Sequence, residues 1–152
     1  MNSLENSPFF VLLADDDEDD RLLAQDAMEA AGFGEQCKTV EDGQQLLQFL
    51  RREGEFADAS SDVMPSVILL DLNMPILDGR DTLKQLKEDA ILRRIPVVIF
   101  STSNSEEDVT QGYDLGAASY MVKPTNFDTL VEMMKTFGHY WSDHATVPQL
   151  PH

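Results

Sequence analysis

The sequence contains a single cysteine, Cys37. One thiol excludes an internal disulfide and any zinc site built on cysteine pairs, and it fits a reducing compartment. Positive charge is also scarce: 11 Lys and Arg stand against 28 Asp and Glu, a formal net charge of −17. Such an excess repels nucleic-acid phosphates and anionic lipid heads, which argues against nucleic-acid and membrane partners. Long apolar runs are missing, and none approaches the ~20 residues of a membrane span. The opening MNSLENSPFF has no basic residue ahead of an apolar stretch, so it does not read as a signal peptide. What is present is a core-forming composition, 42% hydrophobic with eight Phe in 152 residues. Disordered acidic tails lack such aromatics. The expectation is a soluble, cytoplasmic, acidic single domain.

Two kinds of segment alternate along the chain. Short apolar runs of strand length lie at Phe9–Ala14, Val67–Leu70 and Val97–Phe100, with weaker candidates at Gln36–Val40 and Ser119–Val122. Runs that are apolar at every position suit strands covered on both faces. Between them the spacing becomes helical. Leu23, Ala27, Ala30 and Ala31 share a face before Gly32, and Leu46, Leu47 and Leu50 follow a capping Asp42. Leu83, Leu86 and Ala90 follow Gly79. Val109 and Tyr113 follow Ser105, with Asp108 completing a near capping box. A last helix carries Phe127, Leu130, Val131, Met134, Phe137 and Trp141 after Thr125 or Asn126.

Five strands alternating with five helices predict a doubly wound α/β fold, a parallel sheet with helices on both faces. The expected division is an N-terminal arm over 1–8, one domain over 9–141 and a tail over 142–152. Gly54–Ser66 reads as a long surface loop. Ligands of such folds bind beyond the carboxyl ends of the strands, where the strand order reverses. The residues just past each apolar run therefore matter most.

The first run ends in six acids, Asp15 to Asp20. Asp17 to Asp20 read as a solvated helix opening, because acids favour a helix N-terminus. Asp15 and Asp16 touch the end of a buried strand. A calcium loop fails here, since Asp20 stands where its sharp turn needs Gly and Asp26 where its bidentate Glu belongs. The third run ends in Asp71, followed by Leu72-Asn73-Met74-Pro75 and Asp78-Gly79. A carboxylate closing a Val-Ile-Leu-Leu run is a poor core residue and a good site residue. Ser101 and Thr102 follow the fourth run and could simply cap a helix. Lys123 ends the fifth, directly before Pro124.

Asp15, Asp16 and Asp71 would converge at one edge of the sheet. Two unit charges about 4 Å apart repel by roughly 4 kcal/mol at an effective dielectric near 20. The cluster needs a cation, and oxygen ligands without a Cys or His constellation select Mg²⁺. Lys123 adds a fixed positive charge and Ser101 a hydrogen-bond donor. Around one carboxylate, these make a phosphoryl-accepting site.

In these residues the sequence resembles the receiver domain of two-component response regulators. The resemblance rests on Asp15-Asp16, Asp71, Gly79, Ser101, Gly116-Ala117-Ala118-Ser119-Tyr120 and Lys123-Pro124, and runs from about Phe9 to His139. It implies a flavodoxin-like sheet in strand order 2-1-3-4-5. It also implies Asp71 as phosphoacceptor, with Asp15, Asp16, Asp71 and the Asn73 backbone carbonyl around Mg²⁺. Lys123 and Ser101 would contact the phosphoryl group, and Tyr120 would change rotamer as Ser101 moves. The Gly54–Ser66 loop and the ending His139–Thr146 are similar to stand-alone response regulators of cyanobacterial phytochromes. That narrower resemblance implies a phytochrome-type sensor histidine kinase as partner, and a homodimer.

Such a chain is no enzyme in the ordinary sense, but a phosphoacceptor that catalyses its own phosphorylation and slow dephosphorylation. The competing class is a Mg²⁺-dependent phosphohydrolase with an aspartate nucleophile. Those enzymes carry a general acid two residues after the nucleophile, where this chain has Asn73. Met133, Phe137 and Tyr140 leave apolar surface on the last helix, either for pairing or for cover by the tail.

Overall fold

A computed structural model describes residues 9–57 and 64–150. The expected arm over 1–8, the 58–63 stretch of the predicted loop and the last two residues of the tail lie outside the described residues. The strands are β1 (Val11–Ala14), β2 (Cys37–Val40), β3 (Val67–Leu70), β4 (Val97–Ser101) and β5 (Ser119–Val122). All pair in parallel, in the order β2-β1-β3-β4-β5. The helices are α1 (Glu18–Ala30), α2 (Gly43–Arg51), α3 (Gly79–Glu88), α4 (Glu106–Asp114) and α5 (Phe127–His139). This is the flavodoxin-like arrangement expected from the sequence, and the strand order reverses between β1 and β3.

The period of two along each strand divides the core. Leu12, Ala14, Ile68, Leu70, Val97 and Ile99 point to one face, against Leu46 and Phe49 of α2 and Leu83 and Leu86 of α3. Val11, Leu13, Val67, Leu69, Val98 and Phe100 point to the other, against Ala24, Ala27 and Met28 of α1 and Leu130, Met134 and Phe137 of α5. β1, β3 and β4 are buried at every residue, so the three middle strands are sealed on both sides.

Side-chain caps fix where the helices begin. Asp17, Asp42, Asp78, Ser105 and Asn126 each accept a hydrogen bond from the backbone N–H three residues on. The last of these settles the Thr125 or Asn126 alternative in favour of Asn126. Gly32 follows the end of α1 at φ +94°, a backbone that suits glycine, as the helix-stop reading requires.

Three helical readings need correction. In α1 the buried stripe is Ala24, Ala27 and Met28, while Leu22 and Leu23 are exposed. Ala27 and the partly buried Ala31 keep their expected side, while Ala24 and Met28 take the places expected for Leu23 and Ala30. α3 ends at Glu88, because the Asp89 carboxylate caps the backbone N–H groups of Ile91 and Leu92 and leaves Ala90 outside. In α4 only Gly112 is buried, and Tyr113 is exposed. A Cβ at Gly112 would lie 2.6 Å from Ile99 Cδ1, so α4 packs close through glycine rather than through a large apolar side chain.

Helical winding continues past α5 through a wide turn, Tyr140–His144, three residues beyond the expected domain edge. Phe137, expected among the surface aromatics, is buried in the core. The chain beyond it crosses to the opposite face, where Leu150 packs against the cluster of α2 and α3.

Candidate functional site

The carboxyl ends of β1, β3, β4 and β5 deliver Asp15, Asp71, Ser101 and Lys123 to one rim of the sheet. Residues far apart in the chain meet there because parallel strands all end on the same side. Lys123 Nζ donates to Asp15 Oδ2 at 2.6 Å and to Asp71 Oδ2 at 3.2 Å. Its backbone N–H also bonds the Ser101 carbonyl at 2.8 Å, which fixes the start of the lysine's reach. Asp15, Asp16 and Asp71 form one cluster whose ligand oxygens all lie within 4.8 Å of one another. Asp15 and Asp71 are buried and Asp16 is exposed, so the cluster opens to solvent on one side.

The electrostatics follow from this packing. Burial pushes the Asp71 carboxyl above its ordinary value; Lys123 pulls it down and the charge of Asp15 pushes it further up. Burial alone would lower Lys123, but the Asp15 hydrogen bond and the charges of Asp71 and Asp15 hold its ammonium above the ordinary range. One ammonium therefore faces two buried carboxylates.

The loop after β3 is drawn back over Asp71. The Asn73 N–H points to Asp71 Oδ1 at 3.4 Å, and the Gly79 N–H bonds the Leu72 carbonyl at 2.8 Å. A Cβ at Gly79 would collide with the Asp71 carbonyl, so the start of α3 can lie against the site only as glycine. Ser101 is fully buried at the end of β4, and its hydroxyl accepts the Ser103 N–H at 3.2 Å. Tyr120 is half-buried and its hydroxyl donates to the Ser103 carbonyl at 2.8 Å. Thr102 is exposed.

The structure thus brings together the side chains of Asp15, Asp16, Asp71 and Lys123, sets Ser101 on the same rim with its hydroxyl toward Ser103, leaves Thr102 exposed, and adds other residues. Asp20, read as part of a solvated helix opening, lies 3.4 Å from Lys123 Nζ. Its place one turn into α1, on the side facing the strand ends, was the available signal. Arg21 Nη1 bonds the Asp15 carbonyl at 2.8 Å and steadies the end of β1. The Ser103 hydroxyl donates to Asp108 at 2.6 Å, and Asp108 also pairs with Arg80 at 3.1 Å. These two partners hold the Asp108 carboxyl below the ordinary range. No motif links residues 80, 103 and 108; only the fold shows that α3, α4 and the loop after β4 share this network.

Oxygen donors of net negative charge around an open position suit a hard divalent ion. The donor set of Asp15, Asp16 and Asp71 fits Mg²⁺ on charge, chemistry and spacing, with the open side free for water or a phosphoryl oxygen.

A five-stranded parallel sheet with an acid cluster and a strand-end lysine at its switch point defines a receiver. The family model for the response regulator receiver domain matches residues 11–135, and the chain belongs to that family. Receiver domains bind Mg²⁺ at this acidic pocket. Among curated proteins the chain is similar to the response regulator Rcp1 of Synechocystis, 33% identical over 97% of this chain and 99% of that protein. The Mn²⁺-bound form of Rcp1 has been solved and superposes with a TM-score of 0.80 at 33% identity, covering 93% of this chain and 99% of that one. The phosphorylated cyanobacterial phytochrome response regulator RcpA superposes with a TM-score of 0.83 at 37% identity, covering 94% of this chain and all of that one. The response regulator RPA3017, in red light signaling of R. palustris, gives 0.86 at 34% identity over 93% and 99% of the two chains. Among the described residues, no helix is long and apolar enough to cross a membrane.

Proposed function

We propose that this protein is a single-domain response regulator, acting in the cytoplasm, that takes a phosphoryl group from a sensor histidine kinase onto Asp71. The observation that carries the reading is the ammonium of Lys123 between Asp15 and Asp71, beside an acid cluster open to solvent. Similarity to Rcp1, RcpA and RPA3017 supports a phytochrome as that kinase.

A phosphohistidine of the partner presents its phosphorus in line with the Asp71 carboxylate. An Asp71 oxygen attacks, the N–P bond breaks as the O–P bond forms, and the imidazole keeps the bonding pair. Asp15, Asp16, Asp71 and the Asn73 carbonyl would hold Mg²⁺, which would supply positive charge for the transferring oxygens. Lys123 turns from Asp71 toward the new phosphoryl oxygens and offsets their charge. Asn73, two residues beyond the nucleophile, cannot act as a general acid, which disfavours the phosphohydrolase alternative. Slow attack by water returns Asp71 to its starting state.

The product carries more negative charge than the carboxylate, and the Ser101 hydroxyl is the donor available to meet it. Turning toward the phosphoryl group costs Ser101 its bond from Ser103, the residue whose carbonyl holds Tyr120. Tyr120 then changes its packing against α4, a local charge change read out as a surface change.

Output passes through protein contacts, and a second copy of the chain is one such partner. Met133, Phe137, Tyr140 and Trp141 line a groove of about 610 Å³ with Val98, Ala118, Ser119 and Met121, along the edge strand β5. Leu150 packs on the opposite face, which favours pairing over cover by the tail. Sedimentation at rising concentration tests this; a monomer throughout removes the dimer. The central reading is tested by incubating the protein with acetyl phosphate and Mg²⁺, then trapping the acyl phosphate with borohydride. A modified peptide containing Asp71 is expected, and modification elsewhere contradicts the assignment.

A further inference from the structure

Ile76 lies at the tip of the loop between β3 and α3, five residues beyond Asp71. Its φ is +67°, in the left-handed region where a β-branched residue is an outlier. The Leu77 N–H bonds the Pro75 carbonyl at 2.7 Å, closing a tight three-residue turn around it. The residue is 77% exposed, more than any other large apolar residue among those described.

The surrounding chain forces this geometry. Met74 is buried, and Leu77 packs against the core of α2 and α3, so the loop is held down on both sides of Ile76. Gly79 is pressed against the Asp71 backbone and the Asn73 N–H points to Asp71 Oδ1, so both ends of the loop that carries Ile76 are tied to Asp71. Asn or Gly would occupy the same backbone with less strain. Isoleucine adds instead an apolar side chain that the core does not use. Strain of this kind gathers at functional sites, where the neighbouring structure over-determines it.

We propose that Ile76 is a docking knob for the phosphodonor protein, seated in an apolar dimple beside the donor's phosphohistidine. The proposal rests on the reading of Asp71 as phosphoacceptor. In-line transfer brings the donor nitrogen to within about 3.5 Å of the reacting atoms, so a macromolecular donor must cover the loop beside Asp71. A small phosphodonor reaches the same carboxylate without touching the loop tip. The acidic run Asp15–Asp20 borders the site on the β1 side and supplies long-range attraction to a basic surface. Ile76 supplies the short-range apolar contact that such attraction lacks, and buried apolar anchors carry a large share of interface energy.

The test compares the unaltered protein with Ile76→Asn, Ile76→Gly and Ile76→Val. Each is labelled by acetyl phosphate, and each by the autophosphorylated sensor kinase of the source organism that labels the unaltered protein fastest. Acetyl phosphate labelling is expected to be unchanged in all four, and Ile76→Asn should melt no lower than the parent. Transfer from the kinase should fall about tenfold in Ile76→Asn and Ile76→Gly and be retained in Ile76→Val. Equal kinase transfer in all four overturns the knob. Parallel losses with both donors overturn it too, because the loop then serves the site rather than the partner. Retained kinase transfer with altered self-association assigns the side chain to a second copy, again against the proposal. Failure of acetyl phosphate or every kinase to label Asp71 in the unaltered protein overturns the phosphoacceptor reading instead, and the knob falls with it.

Discussion

Lys123 Nζ lies 3.2 Å from Asp71 Oδ2 although 52 residues separate them in the chain. The same nitrogen is 2.6 Å from Asp15, so one ammonium balances two buried carboxylates. Removing it leaves both without a counter-charge in a low-dielectric pocket, the costly way to break a buried ion pair. Lys123→Met should therefore lose about 3 kcal/mol of stability in metal-free buffer, measured by urea unfolding at neutral pH. Added Mg²⁺ should return part of that loss. Unchanged stability would mean that Lys123 contributes nothing to holding the cluster.

Mg²⁺ should stabilise the unaltered protein by binding the folded acid cluster alone. At a hundred times its Kd the gain is about 2.7 kcal/mol, equivalent to about 5–10 °C in Tm for a chain of this length. Asp16→Asn removes the exposed donor and should shrink the shift, read by thermal unfolding with and without the ion. An equal shift in that variant would place the ion elsewhere.

The loop after β4 is organised by Ser103, which bonds Ser101, Asp108 and Tyr120 through three different groups. Tyr120→Phe keeps the ring and deletes the bond to the Ser103 carbonyl, at a cost of about 1 kcal/mol. Amide hydrogen exchange at Ser103–Ser105 should quicken in this variant. Exchange identical to the parent's would show that the hydroxyl does not hold the loop.

Cys37 gives a pH dependence of known sign. Burial at the start of β2 pushes its thiol up from 9.0 to about 12. The folded chain thus keeps a proton that the unfolded chain releases, so stability is intact below about pH 9 and falls as pH rises toward 12. At pH 10 this contribution is a loss of about 1.4 kcal/mol, to be seen as a smaller alkaline decline in Cys37→Ala than in the parent. Equal declines would show that the folded environment leaves the thiol unperturbed.

Much of this architecture is legible in the sequence because its signals are local. The fully apolar runs at Val67–Leu70 and Val97–Phe100 announce strands sealed on both faces, and Asp42, Ser105 and Gly32 mark helix ends by short-range hydrogen bonding or backbone freedom. The site is legible for a related reason: in a doubly wound sheet, the residue after each strand lands on one rim. Long-range relations are not legible. Asp20 looks like any acid opening a helix until Lys123 is placed beside it. The Arg80–Asp108–Ser103 network joins three elements with no shared motif. Leu23 misleads because a stripe of small residues, Ala24 and Ala27, buries α1 more closely than leucine would. The left-handed backbone of Ile76 has no sequence signal at all, since isoleucine is among the residues least expected there.

The most direct measurement is labelling by an autophosphorylated sensor kinase carrying radioactive phosphate, with Mg²⁺, in the parent and in Asp71→Asn. The parent should take up label that is lost on removal of Mg²⁺, and Asp71→Asn should take up none. Undiminished, Mg²⁺-dependent labelling of Asp71→Asn would contradict the account, because the phosphoryl group would then rest on another residue.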